Sequence, residues 1–154
     1  MDSMTAPQPL RTHRSALATW PLWLVGLAAT GAGAAVTALV AAVARAADVP
    51  LEVASSSDAA PEAIPVSGVA TLVVICGIVG VVMALGTDRW ATRPARAFVV
   101  ATTVLTAVSL ATPLIVAENA TTATRVVLEL THLVAAAIII PPIAYRLAQC
   151  SPRP

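Results

Sequence analysis

The stretch "IPVSGVATLVVICGIVGVVMAL", residues 64–85, carries no charged side chain. At 1.5 Å of rise per residue, about 20 apolar residues in a helix cross the roughly 30 Å hydrocarbon layer of a bilayer. The stretch therefore reads as a membrane-spanning helix, and the rest of the chain supports that class. Of its residues 58% are hydrophobic and only 11% charged, with a mean hydropathy of +0.85, far from a soluble domain. A length of 154 residues leaves room for about four spans with short connections and no separate soluble domain. With a net charge of +1 there is no electrostatic footprint for nucleic acid.

Working outward from this second span, three further apolar segments lie at 20–44 ("WPLWLVGLAATGAGAAVTALVAAVA"), 97–117 and 125–147. The first is too long for a signal-peptide core and has no convincing processing site, so it is retained as a helix. Trp20 and Trp23 open it, and Trp90 and Tyr145 mark the same boundary elsewhere, because these amphipathic rings favour the headgroup level. Residues 1–19 read as a short disordered leader and 148–154 as a tail, both cytoplasmic. The segment 45–63, rich in proline, serine and acid, is the longest loop. "GTDRWATRPAR" is a tight basic turn, and "ENATTAT" is a short connection.

Basic residues set the orientation, because short flanks rich in arginine stay in the cytoplasm. Arg11, Arg14, Arg89, Arg93, Arg96, Arg146 and Arg153 fall on one side, and only Arg45 and Arg125 on the other. Both termini are therefore expected in the cytoplasm, with the acidic first loop (Asp48, Glu52, Asp58, Glu62) outside. The expected fold is all-α: an integral membrane four-helix bundle of up-down topology in the bacterial inner membrane. Glycines in the first two spans (Gly26, Gly31, Gly33, Gly68, Gly77, Gly80) suit close helix packing, because apolar area does not drive association within lipid. Packing within one chain is favoured over a homo-oligomer face.

Two cysteines in different settings, Cys76 in a span and Cys150 in the tail, predict no disulfide and exclude dithiol redox chemistry. Asn119 fits a glycosylation acceptor pattern, which carries no weight in a bacterial-looking chain.

The chemistry concentrates in the fourth span. Arg125, Glu129, His132 and Ala136 recur at helical spacing and share one face. Ionisable groups inside a span are costly and usually face the bundle interior or a watery cavity. Arg125 and Glu129 form an expected pair near the outer surface. His132 lies deeper, about 10 Å down at this rise, and Thr37, Thr71 and Ser109 come out at about its level. These four define an expected polar layer, and Thr102, Thr106, Ser109 and Pro113 share the face of span 3 that turns toward it.

That layer admits two readings. In one, its groups fix helix register. In the other, it is a pocket in which Glu129 and His132 act as acid and base on a lipophilic molecule. A di-iron site needs a second Glu-x-x-His that the chain lacks, so no metal or other cofactor is expected. Pro141-Pro142 is expected to bend span 4 or end it early.

The block from Arg89 to Leu147 resembles a family of small actinobacterial four-span membrane proteins known only as a domain of unknown function. The similarity rests on the basic turn with its aromatic, on Ser109-Leu110-Ala111-Thr112-Pro113 late in span 3, and on His132-Leu133-Val134 followed by Pro141 in span 4. Thr131 stands where members often carry methionine, and the similarity is looser over spans 1 and 2. It implies fold and origin and supplies no activity.

Three function classes follow. The favoured one is a non-catalytic bundle that binds a partner or a lipophilic small molecule. An isomerase or cyclase using Glu129 and His132 is the alternative. A small transporter ranks last, because the exporters that would serve as its template need a carboxylate deep in the first span and this one has none.

Overall fold

The computed structural model describes residues 19–53, 60, 62–116 and 120–150, with only the backbone of 112–116 and of residue 150. The leader and the tail beyond residue 150, Arg11, Arg14, Arg153, Asp58 and Asn119, and the side chains of Pro113 and Cys150, lie outside the described residues.

The described residues form four long helices: α1 (Leu22–Ala46), α2 (Val66–Trp90), α3 (Pro94–Val116) and α4 (Thr122–Cys150). All four are long and apolar enough to cross a membrane. Between α1 and α2 a small antiparallel hairpin pairs β1 (Glu52–Val53) with β2 (Glu62–Ala63). The segment expected to be a plain loop thus carries two paired strands, because Leu51 is buried there and its carbonyl accepts from the Ile64 N–H at 2.6 Å.

Helix α1 packs against α2 and α4, α3 packs on α4 and less extensively on α2, and α2 and α4 touch across the diagonal. The two clusters of buried residues sit at opposite ends. At the end where α1 begins and α4 finishes, Leu22, Ala84, Phe98, Ile143 and Leu147 come from all four helices. At the loop end, Ala41, Leu51 and Val69 form the second cluster, with Val49, Ile64, Val66 and Val127 against it.

The α1–α2 contact is close because glycine removes side chain where the helices cross. A Cβ on Gly77 would stand 2.3 Å from Thr30 Cγ2, and one on Gly26 would stand 2.5 Å from Val81 Cγ2. Seven residues on, near the same face of α1, Gly33 receives Ile139 of α4 in the same way, at 2.9 Å. Gly31 and Gly80 face open space and take no part.

Two side chains clamp the loop end. Arg45, in the last turn of α1, donates from Nη2 to the Ile64 carbonyl at 2.5 Å. Thr124 Oγ1 donates to the Pro50 carbonyl at 2.5 Å, tying the segment before the hairpin to α4. Thr121 caps α4 by accepting the Thr124 N–H at 3.2 Å, as N-cap hydroxyls do. Helix α1 ends with Asp48 in the left-handed region (φ 58°) and Val49 N–H reaching back to the Ala44 carbonyl, a closure that usually employs glycine. At the opposite end Arg146 Nε donates to the Trp20 carbonyl at 2.8 Å, joining the last helix to the start of the first.

Each helix differs from its apolar stretch by a few residues, and two of the differences change the connections or the reading of span 4. Helix α2 continues through Thr87–Arg89 to Trp90, so the connection to α3 is only residues 91–93. Helix α4 begins at Thr122 and runs through Pro141 and Pro142 to Cys150 without ending early. The prolines remove two backbone donors but leave the helix assignment continuous.

Candidate functional site, a polar seam between α3 and α4

Helix α4 presents different surfaces along its length. At 100° per residue, Arg125, Glu129, His132, Ala136, Ile143 and Leu147 fall within an arc of about 60°. Ile143 and Leu147 on that arc are fully buried (0% exposed), in the cluster that includes Phe98 of α3. Arg125, Glu129 and His132 on the same arc, nearer the loop end, are only half-buried. The face that is core at one end is polar and less enclosed at the other.

Helix α3 accounts for that change. Its buried described residues, Pro94, Phe98 and Thr102, all lie in the part nearest the α2–α3 turn. Further along, Thr106, Ser109, Leu110 and Ala111 are half-buried, and Val104, Leu105 and Val108 are exposed. Phe98, Thr102, Thr106 and Ser109 share one face by helical spacing. Its first member is core and its last is not.

Counting rise from the loop end puts the two polar faces in register. Helix α4 starts at Thr122, so His132 lies about 15 Å along it and Glu129 about 10 Å. Counting back from Val116, Thr106 lies at about 15 Å and Ser109 at about 10 Å. On that count Thr106 falls at the depth of His132, and Ser109 at that of Glu129. Counted from the apolar stretches, Ser109 falls at the depth of His132; counted from the helix ends, Thr106 does.

The hydroxyls of Thr102, Thr106 and Thr131 are occupied locally. Thr102 Oγ1 donates to the Phe98 carbonyl at 2.8 Å, and Thr106 Oγ1 to the Thr102 carbonyl at 2.8 Å. His132 Nδ1 lies 2.7 Å from the Leu128 carbonyl. A carbonyl only accepts, so Nδ1 carries the proton and donates, and in the neutral ring the basic lone pair is on Nε2. Thr131 Oγ1 donates to the same Leu128 carbonyl at 2.7 Å. The arrangement fixes the ring by its own helix and keeps one imidazole nitrogen chemically available.

Thr37 and Thr71 stand apart from this seam. Thr37 is fully buried on α1, with Oγ1 donating to the Gly33 carbonyl at 2.8 Å and 3.1 Å from that of Ala34. Thr71 is exposed on α2, which turns its Gly77–Val81–Ala84 side inward instead. Helix α1 has its contacts with α2 and α4, so Thr37 and Ser109 belong to opposite corners of the bundle.

Thr30 and Thr131 are buried polar residues that the sequence does not single out. Thr131 sits one residue, hence about 100°, from His132 and faces the other way, lining a dry depression with Ala41, Leu51, Ile64, Val69, Val127 and Leu128. That depression has no room for a water molecule. Thr30 Oγ1 is buried without a hydrogen-bond partner at the Gly77 crossing. Cys76 is a free thiol on an exposed face, and among the described residues no three His, Cys, Asp or Glu side chains group as a metal site.

Four apolar helices packed on one another, with ionisable side chains on an inward arc of the last, define a multi-pass membrane four-helix bundle. Residues 17–149 match the model of a family of unknown function, DUF6069, and the chain belongs to that family. No curated protein matches the chain, and no solved structure does.

Proposed function

We propose that the protein is a non-catalytic membrane bundle whose seam between α3 and α4 receives the polar end of a lipophilic small molecule. The observation that supports this reading is the loss of burial along α3, from Phe98 at 1% exposed to a half-buried Ser109, beside the ionisable arc of α4. A ligand would lay its apolar part on the exposed Leu105, which lies about 40° from Ser109 around α3, and direct its polar end to Thr106, Ser109, Glu129 and His132. The bundle would lie in a bacterial inner membrane, with both termini cytoplasmic as the arginine distribution favours. An actinobacterial origin fits the resemblance of the second half.

One observation favours a second reading, that of an isomerase or cyclase. The Leu128 carbonyl holds His132 by Nδ1, which leaves Nε2 as a base, and Glu129 is close along the helix as an acid. The transporter reading has the least support, because α1 carries no acidic residue.

Comparing wild type with His132→Ala and Glu129→Ala tests the proposal. Each protein is purified in mild detergent, its thermal unfolding measured, and its bound lipophiles extracted for mass spectrometry. The proposal expects near-normal unfolding temperatures and loss of a lipophile retained by wild type. Lowered stability with an unchanged set of lipophiles would show these residues to be structural. Turnover of the extracted molecule by wild type alone would favour the enzyme.

A further inference from the structure

At the end of the bundle away from the seam, the short connection between α2 and α3 gathers unneutralised charge. Arg89 lies in the last turn of α2, Arg93 in the connection and Arg96 in the first turn of α3, and all three are exposed. None of the three guanidinium groups is hydrogen-bonded or ion-paired among the described residues. Asp88 is the one acid at this end among those residues.

Beside these arginines stands Trp90, 81% exposed, the most exposed of the large apolar side chains described. Its indole lies back over Gly86, where a Cβ would meet two of its ring carbons at 3.4 and 3.6 Å. With α2 spanning the bilayer, a ring folded back along the helix lies on the hydrocarbon side of residue 90, at the headgroup boundary. Indoles favour that boundary, and guanidinium forks bind phosphate oxygens in pairs.

We infer that Arg89, Arg93 and Arg96, with Trp90 as an apolar floor, form a binding site for the headgroup of an anionic phospholipid. The phosphate oxygens accept from the guanidiniums, and the glycerol and upper acyl carbons lie on the indole. Three cations within one short turn favour a two-phosphate lipid over a one-phosphate lipid, and either over a zwitterionic one, whose own ammonium offsets its phosphate. A basic residue near a membrane surface contributes roughly 1 kcal/mol to attraction for anionic lipid, about fivefold in affinity.

Native mass spectrometry of the full chain in detergent micelles, titrated separately with cardiolipin, phosphatidylglycerol and phosphatidylcholine, tests the inference. Wild type is expected to bind cardiolipin most tightly, and phosphatidylglycerol at least about fivefold more tightly than phosphatidylcholine. The triple variant Arg89→Gln/Arg93→Gln/Arg96→Gln is expected to lose that order without weaker phosphatidylcholine binding. Arg45→Gln, at the opposite end, is expected to retain it. Equal binding of the three lipids by wild type, or an unchanged order in the triple variant, overturns the site. So does full displacement of cardiolipin by millimolar inorganic phosphate, which would mean a free-anion site.

Should the triple variant not insert, wild type in rising salt decides the matter. Weakening of phosphatidylglycerol binding with phosphatidylcholine unaffected supports the site, and insensitivity to salt overturns it. Trp90→Ala adds a further arm, in which loss of affinity for long-chain lipid, with short-chain analogues unaffected, is expected.

Discussion

Gly77→Ala tests the packing of the bundle at its closest point. The new methyl would stand 2.3 Å from Thr30 Cγ2, 2.4 Å from Oγ1 and 2.9 Å from Cβ. Ordinary carbon contacts begin near 3.5 Å, so α1 and α2 would have to move apart by about 1 Å along their crossing. That separation also weakens the neighbouring Gly26–Val81 contact, and overpacking of this kind costs about 1–3 kcal/mol. Alanine recovers up to about 1 kcal/mol of helix propensity, an offset that Gly80→Ala gains without any clash because nothing lies within 4 Å of it. The two alanine variants should therefore differ by about 2 kcal/mol in unfolding free energy, measured by denaturant titration in mixed micelles. Thr30→Ala in the Gly77→Ala background should restore only part of the loss, because the Cβ contact at 2.9 Å remains. Equal stability of Gly77→Ala and Gly80→Ala would refute this account of the crossing.

Other substitutions test other joints of the molecule. Thr124→Val removes the hydrogen bond to the Pro50 carbonyl and should lower stability by about 1 kcal/mol, whereas Thr124→Ser should behave like wild type in the same titration. Asp48→Gly relieves a left-handed conformation that is costly for a residue with a Cβ, and should raise the unfolding free energy by about 0.5–1 kcal/mol. Phe98→Ala opens a cavity in the cluster shared by all four helices and should cost about 3 kcal/mol. The corresponding truncation of exposed Val104 should be nearly silent in the same assay.

The sequence made the class of fold readable because membrane helices follow from length and apolarity alone. Helix ends were less so. Helix α2 continues to Trp90 because nothing in "GTDRW" breaks a helix once it leaves lipid, and α4 starts at Thr122 because Thr121 supplies a cap. The hairpin depends on Leu51, Arg45 and Thr124, residues that meet only after the helices assemble. Depth could be counted from sequence, but direction around the helix could not. Thr71 lies on an apolar span whose inward side is chosen by Gly77 and Val81, so its exposure was not readable from its position alone. The shared face of Glu129 and His132 was readable because helical spacing fixes it within one element. The partial exposure of that face was not, since it depends on where α3 stops packing. Small residues marked α1 and α2 as closely packed, yet the pairing of Gly77 with Thr30 needs the register of two helices.

The proposed function requires a bundle sealed around Thr37 and open along the α3–α4 seam. Single cysteines placed by Ser109→Cys and Thr37→Cys, in a Cys76→Ser/Cys150→Ser background, can be reacted with a small lipophilic maleimide in native membranes. Rapid labelling at position 109, with position 37 protected until the protein is denatured, is the predicted result. Equal protection at both positions would mean that the seam is packed shut, and would contradict the account.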